Sequence, residues 1–87
     1  KNVNSILVYP NPSSDYAAVE INLTGNEKLK IQLMDAAGKS IEVRNLEGQA
    51  GSLTEKFDVS KLASGYYHIA VSDSKHNSFV RRIAVTK

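Results

Sequence analysis

The residues that could carry out chemistry are few, and they do not cluster in the sequence. The two histidines, His68 and His76, have no partner at metal-ligand spacing, and the chain has no cysteine. Glu55 and Asp58 lie three positions apart, which places them on opposite faces of a strand and excludes a paired-carboxylate site. The serines form no nucleophile elbow, and the five glycines are isolated turn residues rather than a phosphate loop. We therefore predict a protein that is not an enzyme and that uses no metal or cofactor.

Composition predicts one folded domain that spans residues 1–87. Hydrophobic residues make up 41% of the chain, which is typical of globular proteins. Eleven basic and nine acidic residues form a mixed surface, and this balance argues against nucleic-acid binding. No apolar run approaches the roughly 18 residues of a membrane helix. Residues 1–5 are polar and do not resemble a signal peptide, so we expect any export signal to belong to a longer precursor.

Alternation of apolar and polar residues predicts about seven short strands and no helix. The clearest strand covers residues 28–35, where Leu29, Ile31 and Leu33 share one face. The other strands are predicted at residues 5–9, 16–23, 39–44, 52–59 and 78–85, and within the segment 62–71 after its turn. Turns recur every 8–12 residues or so, a spacing typical of an all-β, antiparallel β-sandwich.

Several details of this pattern can be tested against a structure. Ile41 and Val43 are predicted to face the core, and residues 45–51 are predicted to be a loose, turn-rich segment. Glu55 falls on the core-facing parity of its strand, which an edge position with a β-bulge would explain. In the last strand, Arg81 is likewise a charged residue at a position that the alternation predicts to face the core.

The segment 62–71 reads as a tight turn that leads into a strand. Ser64-Gly65 is the turn signal, and Tyr67 begins the inward-facing set. This placement fits a tyrosine corner, in which the hydroxyl of a tyrosine near a strand start bonds the backbone just upstream. An ordinary core tyrosine explains the pattern equally well.

The basic end of the chain, from Arg81 to Lys87, is the one local charge asymmetry. It has two explanations. In the first, the segment is a solvated edge strand whose charges prevent aggregation between sheets. The charges alone favour this explanation. Alternatively, the edge is a docking strand, which the strand of a partner extends by hydrogen bonding.

Three motifs together resemble a known family. They are Val8-Tyr9-Pro10-Asn11-Pro12, Leu62-Ala63-Ser64-Gly65-Tyr66-Tyr67-His68-Ile69-Ala70-Val71 and Arg81-Arg82-Ile83-Ala84-Val85-Thr86-Lys87. In this order, they are similar to the C-terminal sorting domain (type A) of cargo proteins of the Bacteroidetes type IX secretion system. One departure is that the family often carries lysines where Arg81 and Arg82 stand.

The resemblance implies an immunoglobulin-like sandwich of about seven strands that acts as an address. The precursor would pass through the periplasm to the outer-membrane translocon, and a sortase-like cysteine protease would then remove the domain, leaving the cargo at the cell surface or secreted. The first two motifs would be mainly structural, and residues 80–87 would present the recognised strand. The motif residues are Tyr9, Pro10, Asn11, Pro12, Leu62, Gly65, Tyr67, Arg81, Arg82, Ile83, Val85 and Lys87.

Two other functions are compatible with a small β-sandwich. One is a generic immunoglobulin-like or fibronectin-like spacer of a cell-surface protein. The other is a carbohydrate-binding module, although such modules usually present a platform of Trp and Tyr. Here Trp is absent, and the candidate tyrosines, Tyr9, Tyr16 and Tyr66, do not share a strand face. Whether the domain self-associates through its edge strands is left open.

Overall fold

A computed structural model describes residues 2–87, which form seven β-strands and no helix. The strands are β1 (Val3–Tyr9), β2 (Tyr16–Leu23), β3 (Glu27–Asp35), β4 (Ser40–Gly48), β5 (Gly51–Asp58), β6 (Gly65–Ser72) and β7 (Ser78–Val85). Among the described residues, no helix has the length and apolar character to cross a membrane.

The strands form two sheets packed as a sandwich. One sheet has the order β1-β2-β5 and the other the order β4-β3-β6-β7. Every pair of neighbouring strands is antiparallel. This arrangement confirms the predicted all-β, antiparallel sandwich. It also makes β7, which carries the basic end of the chain, an edge strand.

The core lies between the sheets and is built from the inward-facing residues of both. Its largest fully buried side chain is Phe57. The clear alternation of β3 is borne out, because Leu29, Ile31 and Leu33 are all buried. The other large, fully buried apolar side chains are Ile21, Ile69, Ile83, Val19, Val59, Val71 and Val85.

Strand β4 is longer than its sequence indicated. It continues to Gly48, and only Gln49 and Ala50 separate it from β5, so the prediction of a loose segment at 45–51 was wrong. The continuation depends on tertiary contacts. The Cδ1 atom of Leu23 lies 2.5 Å from where a Cβ would stand on Gly48. A side chain at Gly48 would displace the buried Leu23, which favours glycine at this strand end, and the residue was misread as turn composition.

The predicted orientation of β4 was also wrong. Ile41 and Val43 are 41% and 43% exposed. The pairing with β3 shifts between Leu33 and Met34, where the register is irregular. Because one extra residue reverses which side chains face inward, Arg44 occupies the core-facing side instead.

The inward-facing Arg44 explains the charged residue on β5. Its guanidinium lies 4.0 Å from the centre of the Phe57 ring and forms ion pairs with Glu42 at 2.7 Å and Glu55 at 3.1 Å. β5 is an edge strand as predicted, but its register with β2 shows no bulge. Glu55 faces inward because Arg44 is there to pair with it across the side of the sandwich.

Candidate recognition site

Residues from the three motifs meet at one end of the sandwich. The first motif ends β1 at Tyr9, and both X–Pro bonds, Tyr9–Pro10 and Asn11–Pro12, are cis. After this bend the chain leaves the three-stranded sheet and reaches the outer edge of β7, where Ser13 forms an isolated parallel bridge with Val85. The two prolines therefore lie where the chain passes from one sheet to the other.

Three hydrogen bonds attach this crossing segment to the end of the chain. The backbone N–H of Ala84 donates to Oδ1 of Asn11 at 3.0 Å, and the N–H of Ser13 donates to the carbonyl of Ala84 at 2.8 Å. The N–H of Thr86 donates to the carbonyl of Ser13 at 2.9 Å. Ser13 is fully buried, and its hydroxyl donates to the carbonyl of Pro10. Asn11 of the first motif and Ser13 just after it thus cover the outer edge of the third motif.

The second motif forms the corner beside this contact. The hydroxyl of Tyr67 donates to the carbonyl of Ala63 at 2.6 Å, which is the bond that defines a tyrosine corner. Its ring is buried in the core cluster, and Leu62 is half-buried against that cluster. Gly65 starts β6 with a positive φ of 158°. The hydroxyl thus bonds a backbone group at the start of the corner while the ring fills the space beneath it.

Replacing Tyr67 with phenylalanine should lower the free energy of unfolding by about 1–2 kcal/mol, because it removes one hydrogen bond to a backbone carbonyl and leaves the ring in place. Tyr66→Phe is the matched control, since Tyr66 is 56% exposed. We expect a change within about 0.5 kcal/mol for it. Urea denaturation measures both, and equal stability of the two variants would contradict a structural role for the corner bond.

Lys87 closes this end of the domain with an ammonium group held by three backbone carbonyls. Its Nζ donates to the carbonyls of Ser14 at 2.6 Å, Val59 at 2.9 Å and Ser60 at 2.9 Å. Its backbone N–H donates to the hydroxyl of Ser64 at 3.0 Å. All three protons of the ammonium are therefore used within the protein. This carbonyl cage (the carbonyls of Ser14, Val59 and Ser60) joins the loops around all three motifs.

The side chains of the third motif divide into buried and exposed groups. Ile83 and Val85 are each 1% exposed and belong to the core. Arg81 and Arg82 are exposed, and the Arg82 guanidinium stacks 4.6 Å from the centre of the Tyr66 ring. A partner that contacts the folded domain can therefore reach the two arginines but not the two apolar residues.

The segment 80–87, expected to present the recognised strand, is not free along its edge at residues 83–87. The outward backbone groups of Ala84 and Thr86 are bonded to Asn11 and Ser13, and the Lys87 ammonium is held in its cage. Within residues 2–87 no second strand seals the edge, since the contact is an isolated bridge. Before Ile83, no described strand pairs with the outer side of β7.

Sequence reasoning missed Ser13 and the carbonyl cage. Ser13 directly follows Pro12, and a serine hydroxyl in a turn readily donates to a nearby backbone carbonyl, here that of Pro10. No sequence signal marks the cage, because its three acceptors are backbone carbonyls from loops that are distant in the chain. The side chains of Ser14, Val59 and Ser60 take no part in it.

The carboxylates with shifted pKa values lie at or just beyond strand ends, at both ends of the sandwich. The Asn77 side chain, with the backbone N–H groups of Asn77 and Lys75, lowers the pKa of Asp73. The Ser74 hydroxyl, with its N–H, lowers the pKa of Glu27. Near the carbonyl cage, the Ser60 hydroxyl and N–H lower the pKa of Asp58.

These shifts set the direction of the pH dependence. A carboxyl group with a lower pKa in the folded state stabilises the fold above its unfolded pKa, and this contribution is lost as the pH falls through the folded value. Stability should therefore be level near neutral pH and fall below about pH 4.5. Thermal unfolding of wild type and Asp73→Asn from pH 7 to 2.5 tests this, because the variant should lose less stability over that range. Parallel curves would contradict the role of Asp73.

The tyrosines of the carbohydrate-binding alternative lie on two faces. Tyr9 and Tyr16 lie on the outer face of the three-stranded sheet, and Tyr66 lies on the outer face of the other sheet. The ammonium of Lys56 stands 4.6 Å from the centre of the Tyr16 ring. Within residues 2–87, no group of three or more His, Asp or Glu side chains is placed to hold a metal ion.

The chain belongs to the family of secretion system C-terminal sorting domains. The family model matches residues 7–86, nearly the entire chain. This match confirms the resemblance to the sorting domain of type IX cargo and supports a sorting role. The family is defined by a sorting signal and not by catalysis. The search of curated proteins gave no match.

Two solved structures show where this fold recurs. A dimeric latent PorU from Porphyromonas gingivalis superposes with a TM-score of 0.75 at 14% identity, covering 93% of this chain and 9% of PorU. A β-glucosidase from Listeria innocua in complex with glucose gives a TM-score of 0.52 at 16% identity, covering 98% of this chain and 16% of the enzyme. This chain therefore spans only a small part of the length of either protein, and at these identities the similarity shows the fold alone.

Proposed function

We propose that this domain is the sorting signal of a larger exported protein. The precursor crosses the periplasm, the domain delivers it to the outer-membrane translocon of a type IX secretion system, and a sortase-like cysteine protease then removes the domain. The cargo is left at the cell surface or in the medium. The observation that carries this proposal is the family match over residues 7–86.

The structure supports different roles for the motif residues. At one end of the sandwich, Asn11 bonds the first motif to the third, and Lys87 bonds the third to the second. Tyr67 fixes the corner within the second motif. Arg81 and Arg82 are exposed beside that end and are available to a partner. In this proposal the first group makes the end of the domain rigid, and the two arginines contact the translocon.

A reporter fusion tests the sorting role. The folded domain is joined to the C-terminus of a periplasmic fluorescent protein and expressed in a bacterium that has a type IX system. We expect fluorescence at the cell surface or in the medium, and a shortened reporter if the protease acts. The same reporter without the domain is the control and should stay in the periplasm. Retention of both proteins in the periplasm would refute the proposal.

Deleting residues 83–87 would not be a specific test of contact with the translocon. The deletion removes Ile83 and Val85, which are buried in the core, together with the Lys87 ammonium. The truncated domain should therefore unfold, and a loss of export would report unfolding rather than a lost contact. Substitutions of exposed residues on β7 avoid this difficulty.

A further inference from the structure

The outer edge of β7 is divided into a covered half and an open half. Ala84 directs both its N–H and its carbonyl outward, away from β6, where Asn11 and Ser13 bond them. In an antiparallel pair, every second residue bonds the neighbouring strand through its backbone, and the residues between them direct their N–H and carbonyl groups away from it. The register of β6 and β7 has no irregularity, so this alternation holds along all of β7. Val80 and Arg82 therefore direct their backbone groups outward as well, on the half of the edge that the first motif does not reach.

The open half carries positive charge on both faces of the sheet. Arg82 lies on the outer face, where it stacks on Tyr66. Arg81 points to the opposite side but is still exposed, and its guanidinium donates to the carbonyl of Val80 at 3.0 Å. Val80 itself is 50% exposed. The arginines thus flank the edge, and one of them covers an outward carbonyl.

We propose that this open half, residues 78–82, is where an extended acidic segment of the translocon adds as a further strand. The proposal rests on the sorting function and names the chemistry of its partner. Outward N–H and carbonyl groups of Val80 and Arg82 pair with the backbone of the added strand. Adjacent acidic residues of that strand point to opposite faces, so that one reaches Arg81 and the next reaches Arg82.

Arg81 makes this edge selective. Its bond to the Val80 carbonyl occupies an acceptor that an added strand needs. A carboxylate of the incoming strand attracts the guanidinium and draws it off the Val80 carbonyl, which is then free to accept a bond from that strand. A neutral strand has no group that would replace the carbonyl as the partner of the guanidinium. The same residue therefore protects the edge from unspecific pairing and admits an acidic partner.

The parallel bridge between Ser13 and Val85 shows that the edge already accepts an extended segment. That segment lies on the same side of β7 and bonds the outward groups of Ala84 and Thr86. A partner strand over residues 78–82 would occupy the next positions along the same edge. The covered half thus limits the length of the docking edge to residues 78–82.

A pair of substitutions at Val80 tests strand addition. Val80→Pro removes the outward N–H, which is not used in pairing with β6. Val80→Ala is the control, because it also removes the isopropyl group of valine but keeps the N–H. Both variants are made in the reporter fusion. We expect export of Val80→Ala near the wild-type level and a decrease of at least tenfold for Val80→Pro. Circular dichroism of the purified domains establishes that both are folded.

The outcomes separate this inference from the sorting function itself. If the unmodified fusion is not exported, the sorting function fails. If it is exported and a folded Val80→Pro variant is exported equally well, strand addition is wrong and sorting stands. Should Val80→Pro not fold, Arg81→Glu decides, with Lys39→Glu as a charge-matched control on an exposed turn. Export of Arg81→Glu at the level of Lys39→Glu would overturn the proposal, and a tenfold lower level would support it.

Discussion

Lys87→Met is expected to lower the free energy of unfolding by about 1–3 kcal/mol, a large effect for one exposed side chain. Methionine keeps much of the length and the apolar stem but has no donor. The three carbonyls of Ser14, Val59 and Ser60 then lose a charged partner that bonds them at 2.6–2.9 Å. Water reaches this surface and replaces part of the loss, so the effect stays below that of a buried charge. Urea denaturation gives the change in stability.

Two comparisons show whether the carbonyl cage is the cause. Lys87→Arg should recover only part of the loss, because a planar guanidinium cannot direct three donors to three carbonyls arranged around one point. Lys39→Met, on an exposed turn, should change stability by less than about 0.5 kcal/mol. Hydrogen exchange should quicken at the Thr86 amide, which donates to Ser13 beside the cage. Lys87→Met with wild-type stability and exchange would show that the cage contributes nothing.

Phe57→Ala is expected to have the largest effect on stability, about 3–5 kcal/mol. Phe57 is fully buried and is the largest side chain in the core, so its removal leaves a cavity between the sheets. It also removes the ring against which the Arg44 guanidinium packs at 4.0 Å. In so small a domain each kcal/mol lowers the melting temperature by about 4–8 °C. Thermal unfolding followed by circular dichroism should therefore show a decrease of more than about 12 °C.

Arg44→Met separates the core contribution of Phe57 from that of the charges. The ion pairs of Arg44 with Glu42 and Glu55 are partly exposed, and methionine keeps an apolar stem over the ring. Arg44→Met should therefore lower the free energy of unfolding by at most about 1 kcal/mol. If Arg44→Met were as unstable as Phe57→Ala, the charges and not the ring would hold this side of the sandwich together.

Strand prediction worked where burial alternates along a single strand. The pattern in β3, with Leu29, Ile31 and Leu33 inward, is visible because one face of this central strand packs on the core and the other does not. It failed in β4, where Ile41 and Val43 suggested the wrong inward face. That error follows from the irregular register between Leu33 and Met34, which no local feature of β4 reveals.

The charged residues at inward-facing positions show the same limit of prediction from the sequence. Glu55 is a charged residue at an inward-facing position of its strand. The structure explains it, because an Arg44 guanidinium nitrogen lies 3.1 Å from a Glu55 carboxylate oxygen. The two residues belong to different sheets, so their pairing depends on how the sheets stack and not on their separation in the chain. A bulge was a reasonable explanation from the sequence, but the register of β5 with β2 is regular.

The sequence by itself determined the class of fold, the number of strands and the family, because these depend on local alternation, turn residues and short motifs in a set order. Only the tertiary structure decided which groups remain accessible. It buries Ile83 and Val85, holds the Lys87 ammonium among carbonyls of distant loops, and, within residues 2–87, places no further strand along the outer edge of β7 before Ile83. These outcomes depend on backbone groups that every residue possesses, and a side-chain pattern therefore cannot specify which of them the fold brings together.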